Sequence, residues 1–350
     1  MRLEIAPRRL RLRTPLSTAH GTVAERELLD VLILGADGVA GAGEAAPLPS
    51  YDGVTLDDVR AALEDCRPIV HDAEGLPREL VLAECRKAAV LPQAVAAIDL
   101  ALWDLEGRRA DVPVWRLLGA HGRVGSGPEG APEPLAVNAL IVAEDRAGAA
   151  AEAARAAQAG FACVKLKVGI GDDAGRVAAV RAAIGPDVAL RIDANGAWEV
   201  EEALAHLRAL APSEIELCEE PVHGVAQLGA VAEAVDVPVA MDETAVGPGA
   251  LGSGATPLVC LKLSRCGGIS GLIDAAETVR AAGGEVYLAS TLDGPLGIAG
   301  ALHAAALLRP ARPCGLATLD AFEGLTLDPA LHVERGAMRV PTGPGLGVRA

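Results

Sequence analysis

The chain is poor in lysine, in net positive charge, in paired cysteines and in apolar runs long enough to cross a bilayer. Each shortage excludes a class of function. Thirty-one basic against 47 acidic side chains leave a net charge of −16, which repels phosphate backbones and anionic membrane surfaces. Nucleic-acid and membrane partners are therefore not expected. Mean hydropathy is +0.31, but dispersed Ala, Val and Leu produce it. The longest Ala/Leu-rich stretch, residues 296–308, is interrupted by His303 and is too short to span a membrane. The N-terminal MRLEIAPRRLRLR contains no apolar signal core, so a cytoplasmic location is expected. Seven cysteines are scattered without a CxxC pair, as in reduced core thiols rather than a disulfide scaffold or zinc ribbon.

What is present is the composition of a packed globule: 350 residues, 51% hydrophobic and 22% charged, enough for one large or two ordinary domains. Only four of the 31 basic residues are lysine, namely Lys87, Lys165, Lys167 and Lys262. Where a positive surface charge suffices, this chain uses arginine. A lysine retained against that bias is a candidate for amine chemistry, because an ammonium can lose its proton and a guanidinium cannot.

Residues 2–13, 26–34 and 39–46 have strand character, the last two separated by a turn at Gly35-Ala36-Asp37-Gly38. Helical patterns follow at 55–66, 79–89 and 92–108. The Gly/Pro-rich segment 122–134 is the best linker candidate. Beyond it, eight short apolar runs alternate with Ala-rich helical segments across 135–319: LAVNALIV, ACVKLKV, ALRIDAN, EIELCEEP, VPVAMDE, LVCLKLS, EVYLAS and CGLATL. Nearly continuous Val, Ile, Leu and Ala suit parallel strands covered by helices. Eight such units point to an α/β fold with a closed (β/α) barrel. An α+β cap is thus expected over 1–125, completed by about 320–350, with the barrel at 135–319.

In such barrels chemistry gathers at the C-terminal strand ends. Lys165 and Lys167 end the second run, Asp193 and Asn195 the third, Glu219 the fourth, Asp242 and Glu243 the fifth, and Lys262 the sixth. Asp193, Glu219 and Asp242 side by side would repel one another strongly unless a cation neutralised them. An all-oxygen set favours Mg²⁺, with Mn²⁺ as the alternative, and argues against zinc. Lys165 and Lys167 leave one face of their strand. Mutual repulsion, with a cation nearby, would lower their pKa toward that of a general base. Lys262 approaches from across the mouth, so two amines flank one substrate. That arrangement suits removal of a proton alpha to a carboxylate. The competing explanation for the acids, salt bridges to arginine at a barrel rim, does not ordinarily recur on three successive strands with lysines flanking.

The motifs KLK (165–167), DAN (193–195), EEP (219–221), MDE (241–243) and LKLSRCGG (261–268) together resemble the muconate lactonizing enzyme subgroup of the enolase superfamily. The segment 97–119 resembles that family's cap-to-barrel helix, and 18–29 and 41–55 its two cap loops. The resemblance implies a (β/α)7β modified TIM barrel with an N-terminal α+β capping domain. It implies a metal on Asp193, Glu219 and Asp242, Lys167 and Lys262 as the acid/base pair, and Lys165 assisting. The implied chemistry is proton abstraction through an enediolate intermediate on a small carboxylate substrate. Association into homo-oligomers is common in such barrels.

Within the subgroup, cues in 43–55, 136–142, 289–306 and 313–319 are similar to o-succinylbenzoate synthases, which dehydrate a cyclohexadiene carboxylate in menaquinone biosynthesis. A lyase of that kind is the primary expectation. The alternatives are a dipeptide or N-acylamino acid epimerase and a muconate-type cycloisomerase. Dipeptide epimerases carry an Asp-x-Asp on the eighth strand, whereas Thr318-Leu319-Asp320 supplies only the second Asp. A catalytically silent binding barrel is the non-enzymatic alternative, and it needs no pair of bases. Further contacts are expected from Asn195, Glu243, His20, Asn138, Asp293 and Asp320. Glu243 reads equally as structural pairing, His20 as a loop hydrogen-bonder and Asp293 as a turn residue. Asn138 is one of only two asparagines.

Overall fold

The computed structural model describes residues 1–18, 21–120 and 130–348. The N-terminal region is a three-stranded antiparallel sheet of β1 (Arg2–Thr18), β2 (Gly21–Leu34) and β3 (Ala40–Ala45), in that order. Both hairpin strands run further than the apolar pattern suggests, because backbone pairing continues through Leu16↔Val23 and on to Thr18↔Gly21. The extension carries Leu16 and Val23 away from the cap core toward the barrel mouth, where both line the central cavity.

Short helix α1 (Pro49–Asp52) follows, then α2 (Leu56–His71), α3 (Arg78–Ala88), α4 (Pro92–Ala110) and α5 (Val114–Ala120). Helix α4 is buried along most of its length, from Gln93 to Gly107. It reaches the sheet because β3 has glycine at the crossing. A Cβ at Gly41 would stand 2.1 Å from the Ala101 carbonyl oxygen, and one at Gly43 2.1 Å from that of Ala97.

After β4 (Leu135–Ala136), seven parallel strands form one sheet: β5 (Ala139–Ile141), β6 (Cys163–Lys167), β7 (Ala189–Asp193), β8 (Ile215–Glu219), β9 (Val239–Met241), β10 (Leu258–Lys262) and β11 (Glu285–Ala289). Their spatial order follows the chain. Intervening helices α6 (Arg146–Gln158), α7 (Asp173–Ile184), α8 (Val200–Leu210), α9 (Val225–Ala234), α10 (Leu263–Cys266), α11 (Gly268–Ala281) and α12 (Pro295–Leu308) pack outside the sheet. Buried on both sides, β10 is apolar up to its terminal Lys262, which is why its run is continuous rather than alternating.

Two expectations need correction. The eighth run, 314–319, forms no regular strand: Cys314 bridges Val137 and Gly315 bridges Ala289, so pairing is confined to two residues joining the sheet's two edges. The peptide after Gly315 then turns into a single 3-10 turn at Leu319–Ala321. The stretch after β9 holds only two 3-10 turns, Glu243–Val246 and Ala250–Gly252, where Gly247, Pro248 and Gly249 prevent a helix from propagating. The C-terminal hairpin β12 (Val333–Glu334) and β13 (Ala337–Met338) pairs with β4, and Phe322 bridges Leu12 of the cap. No helix among the described residues is long and apolar enough to cross a membrane.

Candidate active site

Parallel register brings the strand ends Lys167, Asp193 and Glu219 to one level. Lys167 is paired with Asp193, and Asp193 with Glu219, by Cα position. Asp242 lies one residue beyond β9, and Lys262 ends β10. Directly after the acids the chain turns sharply: Asn195 (φ 47) and Glu220 (φ 39) have left-handed backbone, a conformation that asparagine tolerates better than glutamate. The turn at Glu220 aims its carboxylate at the next loop, where it accepts from the Asp242 amide (2.7 Å) and the Thr244 amide (2.9 Å). Glu220 thereby fixes the backbone that presents Asp242.

The three acids are buried, Asp193 at 1%, Glu219 at 0% and Asp242 at 3% exposure, and each meets a lysine. Lys165 Nζ donates to Glu219 Oε1 at 2.6 Å and lies 2.9 Å from Asp193 Oδ2. Lys167 Nζ donates to Asp193 Oδ2 at 2.5 Å and to Asn195 Oδ1 at 2.6 Å. Lys262 Nζ donates to Asp242 Oδ2. Asn195 also donates to Glu243 Oε1 at 2.8 Å, so Glu243 supports the cluster from behind.

Burial disfavours the Asp193 carboxylate, but Lys165 and Lys167 together outweigh it and hold its pKa below the usual range. Burial also dominates at Glu219 and raises its pKa against the pull of Lys165. Lys165 moves opposite to the direction expected of it beside a second lysine. Burial would lower Lys165 and Lys262, yet Asp193 and Glu219 around the first, and Asp242 and Tyr51 around the second, raise both. Repulsion between amines is outweighed because each ammonium is the counterion of a buried carboxylate.

Two tyrosines were missed by sequence reasoning. Tyr51 of α1 donates to Asp242 Oδ1 at 2.9 Å and accepts from Lys262. Tyr287 of β11 donates to Glu219 Oε2 at 2.6 Å. They are the only two tyrosines in the chain, so the rarity argument applied to lysine would have found them. Cys260 was expected to serve core packing alone. It is buried, and its sulfur lies within 4.8 Å of carboxylate oxygens of Glu219 and Asp242. Burial pushes its thiol well up, so it remains uncharged. The donors left are carboxylate oxygens, a hard set that fits Mg²⁺ better than a thiophilic metal.

The cluster opens into a cavity lined by Lys165, Lys167, Asp193, Asp242, Lys262 and Asn195. Asn138 lines it too. Asp293 does not: it is buried behind the wall, accepting from Thr291 Oγ1 at 2.7 Å. Asp320 is exposed on the 3-10 turn and does not line the cavity. His20 lies outside the described residues.

Comparison with known proteins agrees with this geometry. Residues 148–350 match the family "Enolase C-terminal domain-like", and residues 1–119 match "Mandelate racemase / muconate lactonizing enzyme, N-terminal domain". The chain belongs to the muconate lactonizing enzyme subgroup of the enolase superfamily. It is 29% identical to the L-Ala-D/L-Glu epimerase of Bacillus subtilis, covering 99% of this chain and 96% of that protein. A substrate-liganded structure of that epimerase superposes with a TM-score of 0.89 over 99% of this chain and 98% of its own, at 28% identity. The dipeptide epimerase of Enterococcus faecalis, solved with Mg and L-Leu-L-Tyr, gives 0.87 at 27% identity over 100% and 99%. Muconate cycloisomerase 1 of Rhodococcus opacus is 29% identical over 95% of this chain and 91% of its own. These superfamily relatives are isomerases, and none of them is an o-succinylbenzoate synthase.

Proposed function

We propose that the protein is a Mg²⁺-dependent epimerase or racemase that exchanges the proton alpha to the carboxylate of a small amino-acid derivative. The observation carrying this reading is that Lys167 and Lys262 enter one cavity from β6 and β10, four places apart in the sheet, with the buried acids between them. Two amines on separate strands serve two faces of one carbon, whereas a dehydration needs only one. The epimerase alternative is preferred to the expected synthase activity because the named relatives are epimerases and a cycloisomerase.

On this reading residues 1–125 form the cap and residues 135–319 a (β/α)7β barrel closed through Cys314 and Gly315. Asp193, Glu219 and Asp242 would hold the cation, and a bound Mg²⁺ would draw charge from the substrate carboxylate and acidify its α-carbon. Lys167, as the neutral amine, would take the proton on one face, and Lys262, as the ammonium, would deliver one on the other, the two roles exchanging in the reverse direction. Lys165 pairs with Glu219, and Asn195 orients Lys167. Tyr51 closes the site from the cap.

Incubation in D₂O with Mg²⁺ tests the assignment by following Cα–H in dipeptides and N-acylamino acids by NMR. Deuterium enters Cα with inversion in the unaltered protein. Lys167→Ala retains wash-out from one epimer alone and Lys262→Ala from the other, each abolished direction falling about 10²–10⁴-fold. Dehydration of the cyclohexadiene carboxylate without any Cα exchange would restore the synthase.

A further inference from the structure

The cavity is divided by charge. Its ionisable lining belongs to β6, β7, the end of β9, β10 and α1. The remaining arc of the barrel, from β11 through the closing segment to β5, together with the cap hairpin, contributes Leu16, Val23, Leu140, Leu292 and Ala317. Its polar groups are neutral: Asn138, and Ser290 hydrogen-bonded to Thr318 at 2.9 Å.

Acids near this arc are occupied or turned away among the described residues. Asp293 is buried against Thr291, Asp320 is exposed on its turn, and Asp52 accepts from the Leu48 and Val54 amides and from Gln93. An ammonium held against this wall would lose its hydration and gain no counterion, which is strongly unfavourable. An amide and a short alkyl group would meet hydroxyl and carboxamide partners and apolar side chains at no such penalty.

We propose that the substrate's distal part is uncharged and apolar, which makes it an N-acylated amino acid rather than a dipeptide with a free α-ammonium. The proposal rests on the α-proton reading above and specifies which of its substrates this chain takes.

Matched pairs differing only in the ammonium provide the test: N-propionyl-L-Xaa against L-Ala-L-Xaa, with Xaa as Ala, Leu, Phe, Glu and Lys. Two measurements are made on the Mg²⁺-loaded protein, calorimetric binding and Cα deuterium exchange. The propionyl members are expected to bind at least tenfold more tightly and to exchange with at least tenfold higher kcat/KM. Equal or better binding by the dipeptides, or no binding by either set, overturns the proposal. Tighter binding of the propionyl members without exchange leaves the substrate class standing and removes the proton-transfer reading instead. A second arm uses Thr318→Asp, which places a carboxylate in the neutral arc. It is expected to shift the preference at least tenfold toward the dipeptides, and an unchanged preference in a folded variant counts against the proposal.

Discussion

Glu219 has no exposed surface, and both of its oxygens are occupied, one by Lys165 and the other by the Tyr287 hydroxyl. A hydrogen bond from Tyr287 fixes the carboxylate's rotation, the kind of outer partner whose loss weakens a metal site roughly 10–100-fold. Tyr287→Phe is therefore expected to raise the Mg²⁺ dissociation constant by about that factor while leaving the fold intact, as calorimetric titration and circular dichroism would show. At this scale much of the site was legible, because rare residues gather there. Three of four lysines, both asparagines and both tyrosines touch the cluster or line the cavity. Frequency alone did not separate Asp320 from Asp193. Both are acids near the end of an apolar run, and only the turn at Leu319–Ala321 puts the first in solvent.

Between elements, the cap helix and the barrel meet at glycine and aspartate. Asp99 of α4 accepts from the Ser270 amide at 3.0 Å and from its hydroxyl at 2.6 Å, tying α4 to the first turn of α11. Gly268, with φ +95, lets that turn pass, since a Cβ there would stand 2.4 Å from Asp99 Oδ2. Gly268→Ala combines backbone strain with overpacking and should cost about 2–3 kcal/mol, seen as a lower urea midpoint. Asp99→Asn keeps the volume and should cost less. The parallel strands were readable from their continuous apolar runs and one-unit spacing. The failed eighth strand was not, because CGLATL has the composition of a strand and its pairing depends on what the two sheet edges leave open.

For the molecule as a whole, Glu44 is a buried carboxyl where the cap meets the barrel. It comes from β3, accepts from the Leu296 amide in the first turn of α12 at 3.1 Å, and has a second oxygen, Oε1, without a hydrogen-bond partner. Burial, with Asp293 adding to it, raises its pKa to about 8. A carboxyl held neutral in the folded state contributes stability that is fully present below its unfolded pKa, near 4.5, and is lost as pH rises toward about 8. Stability from this group should thus fall between those limits by at most about 1.4 kcal/mol per pH unit. Glu44→Gln should flatten that slope in urea titrations run from pH 5 to 8. An unchanged slope would assign it to other groups.

The order of apolar runs, the spacing of acids and lysines and the scarcity of lysine were enough to determine the fold family and the gathering of acids and lysines at one mouth, because successive parallel strands bring their C-terminal ends together. Which tyrosines reach that mouth, which acids stay behind the wall, and how much of the cavity carries no charge were decided only by tertiary packing. Those properties depend on side chains hundreds of positions apart, as Tyr51 with Lys262 and Glu44 with Leu296 demonstrate, and no local pattern records them.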